Sequence, residues 1–168
     1  MIFALSLFLA AIAASASGQL KKSSQEVMDL DILEMVQVKE RLVVYKRNHT
    51  ITTHVRCQSA MKLGGSLQSG YTYNLKARNG THTRDKYVEQ NVTATLLKLP
   101  GGSRYMSTYR DYNGTTYNLT LKAKDQNGQC FVIFVKKSDH QKGCELLVTA
   151  SKKDEKIPYA CRSYYKKN

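Results

Sequence analysis

The stretch Tyr117-Asn118-Leu119-Thr120-Leu121-Lys122-Ala123-Lys124, with Asn127-Gly128 and Cys130-Phe131-Val132-Ile133-Phe134-Val135 after it, decides the fold. Tyr117, Leu119, Leu121 and Ala123 alternate with polar partners at the period of two of a half-buried strand. Asn-Gly suits a hairpin turn, because both residues tolerate positive φ. The run from Cys130 to Val135 is short, β-branched and aromatic, which reads as a strand buried on both sides. After a polar turn from Ser138 to Gly143, Cys144-Glu145-Leu146-Leu147-Val148 runs back, and the whole is an antiparallel meander.

Upstream the same rhythm continues. Arg41 to Tyr45 reads as a strand, and Thr52 to Ala60 as a second that Gly64-Gly65 closes. Tyr71, Tyr73, Leu75 and Ala77 alternate with polar residues up to Asn79-Gly80, another hairpin signal. Tyr87 to Leu99 is stopped by Pro100-Gly101-Gly102, and Arg104 to Asp111 carries Tyr105, Ser107 and Tyr109 on one side before Asn113-Gly114. Eight strands in sequence favour closure into an up-and-down barrel, which removes exposed edges and leaves an interior wide enough for one small ligand. Ser23 to Met35 reads as a short helix or irregular lead-in, Ser151 to Lys156 as a charged linker, and Ile157 to Cys161 as a tail tied to the barrel through Cys161.

Residues 1–17 read as a secretory signal peptide, with an apolar run from Ile2 to Ile12 and small residues at Ala14-Ser15-Ala16, so the fold is sought in one domain, 18–168. That apolar run is too short for a membrane span. In a secreted chain the four cysteines form disulfides, and of three possible pairings Cys130 with Cys144 and Cys57 with Cys161 is expected, because the first two flank one hairpin. Sequons begin at Asn48, Asn79, Asn91, Asn113 and Asn118. A glycan at Asn118 or Asn91 would turn those side chains to water, and Leu119 and Val92 inward.

The net charge of +13 admits polyanion adhesion. The lysines are spread along the chain with no basic helix or nucleic-acid motif, so specific nucleic-acid binding is not expected. Scattered histidines and the absence of Cys-x-x-Cys give no metal site, and no nucleophile elbow, His-Glu pair or phosphate loop points to an enzyme or to a cofactor.

Four segments resemble the tick salivary lipocalins, the histamine-binding and japanin-like proteins among them. Leu42-Val43-Val44-Tyr45-Lys46-Arg47-Asn48 resembles their first barrel strand, and Arg56-Cys57-Gln58-Ser59-Ala60 their Cys-x-Ser-Ala strand. Cys144-Glu145-Leu146-Leu147-Val148 resembles the last strand, and Ile157-Pro158-Tyr159-Ala160-Cys161 the closing segment. The chain departs from the family in having no Trp. The resemblance implies an all-β, eight-stranded lipocalin barrel with a short N-terminal helix, the two disulfides above, and secretion into a host, where members sequester amines, leukotrienes or other lipids, or act on immune cells.

A buried amine requires a paired carboxylate, and Glu89, Asp111, Asp125 and Glu145 are placed near strand ends or at outward parity. The expected inner wall is Val44, Tyr71, Tyr73, Leu75, Val92, Ala94, Leu96, Tyr105, Tyr109, Tyr117, Leu119, Leu121, Ile133 and Leu146. Such a wall suits a sterol- or fatty-acid-like ligand, held by a monomer that modulates host immune cells such as dendritic cells. The alternatives are a scavenger of a biogenic amine or leukotriene, and a module whose outer surface engages a receptor or glycosaminoglycan.

Overall fold

The computed structural model describes residues 29–48, 55–80 and 82–168; the expected leader at 1–17 and the lead-in before Asp29 lie outside them. Eight strands follow one another: β1 (Leu42–Arg47), β2 (Val55–Ser66), β3 (Gly70–Asn79), β4 (Tyr87–Lys98), β5 (Tyr105–Arg110), β6 (Thr116–Lys124), β7 (Cys130–Lys137) and β8 (Lys142–Thr149). Each pairs antiparallel with the next, and β8 returns to β1 to close the barrel. Two helices flank it, α1 (Leu33–Val36) and α2 (Tyr159–Lys167). β4 shows most directly why these residues make a barrel wall: Val92, Ala94 and Leu96 are buried while Asn91, Thr93 and Thr95 between them are exposed. That is the pleat of a strand with one face in the core and one in water.

Two hairpins share a device written as Asp-x-Asn-Gly. In the β5–β6 connection Asp111 Oδ1 accepts hydrogen bonds from the Asn113 and Thr115 backbone N–H groups, and in the β6–β7 connection Asp125 accepts from Asn127, Gln129 and Cys130. The glycines follow with φ of +83° at Gly114 and +64° at Gly128. Both loops are therefore longer than a two-residue Asn-Gly turn, since the aspartate side chain holds donors that a tighter turn would pair across the ladder. At the other glycine signal, β2 runs through Gly64-Gly65 to Ser66 instead of ending there. The register shifts between Lys62 and Gly64, and a Cβ at Gly65 would lie 2.1 Å from the Gly70 carbonyl oxygen. The pair forms a bulge within the hairpin.

One end of the barrel, the base, is stoppered by the lead-in. Leu30 bridges to Leu121 in β6, and the Ile32 N–H donates to the Tyr105 carbonyl at 3.2 Å. Asp31 Oδ1 accepts from the backbone N–H groups of Leu33 and Tyr105, which ties the start of α1 to β5. Lys122 pairs with Asp29, and Lys124 with Glu34. Ile32, Met35 and Val36 then pack on Leu42, Leu96, Leu121 and Phe131.

A second apolar cluster lies on the outer face of β7 and β8. Cys130, Val132, Cys144, Leu146 and Val148 are covered there by Ile157, Tyr164 and Tyr165 of the C-terminal segment. This explains why β7 is apolar on both faces, as its composition indicates. The disulfide within this cluster joins Cys130 to Cys161, with Cα atoms 6.3 Å apart. The expected pairing of Cys130 with Cys144 and Cys57 with Cys161 is thus corrected. In the β7–β8 ladder Cys130 sits opposite Val148, whereas Cys144 sits opposite Phe134. Four residues along a strand is about 13 Å, well beyond a disulfide's reach. Cys57, exposed with φ of +51° in a β2 irregularity, and Cys144, buried, carry free thiols.

Two outcomes are expected. Non-reducing peptide mapping should recover a Cys130–Cys161 linked peptide and none joining Cys57 to Cys161. Ile32→Ala, by opening a void in the stopper, should cost about 2–5 kcal/mol of unfolding free energy in urea titrations.

Candidate ligand-binding site

Inside the barrel is a cavity of about 740 Å³, within the size range of small-molecule sites. Its floor is the stopper, where Met35 and Val36 meet Leu42 and Leu147, and the Tyr73 hydroxyl donates to the Val36 carbonyl at 3.3 Å. Burial, with Tyr71 nearby, drives the Tyr73 phenol pKa well up, so it remains a neutral donor. Of the residues expected on the inner wall, Val44, Tyr73, Leu75, Val92, Ala94, Tyr109, Tyr117, Leu119 and Ile133 line the cavity. Tyr71, Leu96, Tyr105 and Leu121 belong instead to the packed base beneath it.

Leu146 is a correction: it faces outward into the cluster under α2. The β7–β8 register sets Ile133 opposite Glu145 and Val132 opposite Leu146, so with Ile133 inside, Glu145 must be inside too. Leu146-Leu147-Val148 has no polar alternation, so the sequence period could not choose between the faces. Across the other ladder Glu145 lies opposite Arg47, and the register shifts between Val44 and Lys46. This bulge leaves Tyr45 and Lys46 both exposed and turns Arg47 onto the cavity wall, against the parity set by Val44.

The half of the cavity toward the open end, the mouth, is therefore charged. Glu145 and Asp111 line it together with Arg47 and Lys137, while Glu89 keeps its expected outward parity and pairs with Lys76 on the outer face of β3 and β4. The expectation of an inner wall almost free of negative charge is overturned. Burial pushes the Glu145 carboxyl up to about 7, against the opposing pull of Arg47 and Lys137. Next to it the rings of Tyr109 and Tyr117 stack, centroids 4.7 Å apart and planes within 4°. The Tyr117 hydroxyl donates to Asp111 Oδ2 at 3.2 Å, and burial first, then Asp111, raises its pKa to about 12. Burial, then Tyr117, Glu145 and Asp111, also raises that of Tyr109. Arg47 donates to Gln58 Oε1 at 2.9 Å and to the Val55 carbonyl. On the outer face of the same wall, hydrogen bonds from Lys76 and Asn74 and the Lys76 charge lower the pKa of the exposed Glu89 carboxyl.

The cavity thus has two zones, an apolar base half and a mouth half where carboxylates, cations and phenols face each other. The arrangement can bury an apolar body and read a polar head. Among the described residues the one cluster of metal-ligand types is Asp125 with Cys130 and Cys161, whose sulfurs are joined to each other. No helix among those residues is long and apolar enough to cross a membrane.

A closed antiparallel barrel, stoppered at one end and hollow above, defines the lipocalin-like class of small-molecule binders. The family model for tick histamine binding protein matches residues 21–168, and the chain belongs to that family, one of ligand binders rather than enzymes. No curated protein matches it.

The Glu145 shift fixes a pH dependence. The fold holds that proton with a pKa of about 7, against 4.5 for an unperturbed side chain, so between those values the folded state binds more protons and stability falls as pH rises. Glu145→Gln should match the parent in Tm near pH 4.5 and exceed it above pH 7. Parallel pH profiles of Tm for the two proteins would contradict this.

Proposed function

We propose that this is an exported protein that holds one amphipathic guest, sterol- or fatty-acid-like, in its barrel. The apolar body lies among Val44, Val92, Ala94, Leu119 and Ile133, and the polar head meets Arg47, Lys137 and Glu145. The observation that carries this is the two-zone cavity: about 740 Å³ is far more room than a small amine fills, and its deeper half is apolar. Burying an apolar body there contributes roughly 25 cal/mol for each Å² removed from water. Released into a host, such a protein would modulate immune cells, dendritic cells among them, by withdrawing or presenting its guest.

A second reading has its own support. The carboxylates of Glu145 and Asp111 beside the stacked Tyr109 and Tyr117 offer a counter-charge and ring faces to an aromatic amine, and the family's description names histamine. Arg47 and Lys137 weigh against it, because they already neutralise that corner.

Solvent extraction and mass analysis of protein secreted from eukaryotic cells distinguishes the two. A copurified sterol or fatty acid is the expected result, retained by Glu145→Gln. An empty barrel that takes up histamine or serotonin tightly, and loses at least about tenfold in affinity on Glu145→Gln, worth roughly 1.4 kcal/mol or more, would replace the first reading with the second.

A further inference from the structure

The five sequons, dispersed in the sequence, gather at one end of the barrel. The mouth is where β1, β3, β5 and β7 end and β2, β4, β6 and β8 begin. Asn48 follows the last residue of β1, Asn79 is the last residue of β3, and Asn113 sits in the β5–β6 turn. Asn91 and Asn118 lie on β4 and β6, in each case nearer the mouth end of the strand. The base connections, 67–69, 99–104 and 125–129, contain no sequon. Asn79 and Asn113 stand on the cavity lining itself.

Exposed rings accompany these positions. Tyr112, immediately before Asn113, is 82% exposed; Tyr87, opposite Arg78 next to Asn79, is 44%; Tyr45, three residues before Asn48, is 43%. The base end has exposed apolar side chains too, Leu63, Leu67 and Leu97, so it is the sequons that set the mouth apart. A glycan linked beside each of these rings is large enough and near enough to cover it.

We propose that N-linked glycans at Asn79 and Asn113, with those at Asn48, Asn91 and Asn118 around them, form a collar over the mouth that slows passage of a guest into and out of the cavity. Attachment joins the asparagine Nδ2 to the anomeric carbon of a lipid-pyrophosphate-linked oligosaccharide. That carbon's bond to the pyrophosphate oxygen breaks, and one amide proton is lost. The inference rests on export of the chain and on uptake of a guest by the cavity. A collar of this kind is a kinetic barrier, so it changes association and dissociation together and leaves the equilibrium where it was.

The test uses protein secreted from insect or mammalian cells and stripped of bound lipid. Site occupancy is read by enzymatic deglycosylation in heavy-oxygen water with peptide mass analysis. Uptake of the apolar dye anilinonaphthalene sulfonate is followed by stopped flow, before and after trimming each glycan to one N-acetylglucosamine. The double variant Thr81→Ala/Thr115→Ala, which removes two sequons while keeping both asparagines, is run beside it. Asn79 and Asn113 should be occupied, and trimming should speed dye uptake and release several-fold each with Kd unchanged. Bare Asn79 and Asn113, or equal rates before and after trimming, would overturn the collar alone. Trimmed protein that takes up no dye would overturn the reading of the cavity and the gate with it.

Discussion

The pairing of β8 with β1 is the constraint on which the rest depends. Five register pairs, from Leu42 with Thr149 to Arg47 with Glu145, bring the two ends of the sheet together. Without them the first and last strands would each present an unpaired edge, and an eight-stranded open sheet would have a face to cover rather than a space to enclose. Once the ring is closed, its size leaves a gap at the centre that side chains of the inner wall do not fill. The chain deals with that gap differently at its two ends. At the base it inserts Ile32, Met35 and Val36 and fastens them through Asp29, Asp31 and Glu34. Toward the mouth it leaves the gap hollow.

The same closure creates the polarity of the cavity. Because Arg47 faces Glu145 across the β1–β8 ladder, whatever turns one inward brings the other with it, and the bulge after Val44 does that. A lone carboxylate on an apolar wall would be strongly disfavoured. Here Arg47 and Lys137 partly offset the burial of Glu145, and its carboxyl still comes to about 7. The mouth is therefore a zone of mutually compensated charge, and a guest with an ionic head must compete with groups already there. Such a site discriminates by how well the head replaces an existing partner, while the apolar floor supplies attraction that is nearly indifferent to identity.

What the sequence made legible was whatever a local period or turn residue encodes. Tyr87 to Leu99, Tyr71 to Ala77 and Tyr117 to Leu121 each alternate because one face meets water, and the strands stand where that alternation places them; past Leu121 the ladder slips and Ala123 joins the outer cluster. The wall residues drawn from these segments fall on the cavity or its base. Legibility failed where both faces are buried. Glu145-Leu146-Leu147-Val148 is covered by the barrel on one side and α2 on the other, so its apolar residues carry no phase. It failed also where a ladder slips: the bulge after Val44 and the irregularity at Cys57 have no signature in composition, yet each resets the parity of the residues beyond it. The disulfide was misread for a related reason. Flanking a hairpin says nothing of height along it, and only the register separates Cys130 from Cys144.

Nearby seams of the barrel are consequently built to different standards of rigidity. β7 and β8 are paired along seven residues, sealed inside by Phe131, Ile133 and Val135, and sealed outside by α2, which Cys161 pins to Cys130. On the far side of β1, the ladder between β1 and β2 holds, among the described residues, Leu42 with Ala60 and Val43 with Ser59. Above that point the gap is spanned by side chains: Arg47 reaches Gln58 and the Val55 carbonyl, and below it Arg41 reaches Ser59 and Asn74. Backbone pairs buried on both faces open only with much of the fold, whereas a few partly exposed side-chain bonds open locally at small cost. A guest larger than the resting aperture would therefore widen the barrel along the β1–β2 seam. Because Arg47 both closes that seam and faces Glu145, widening the barrel and remaking the charge pairs at the mouth are one event.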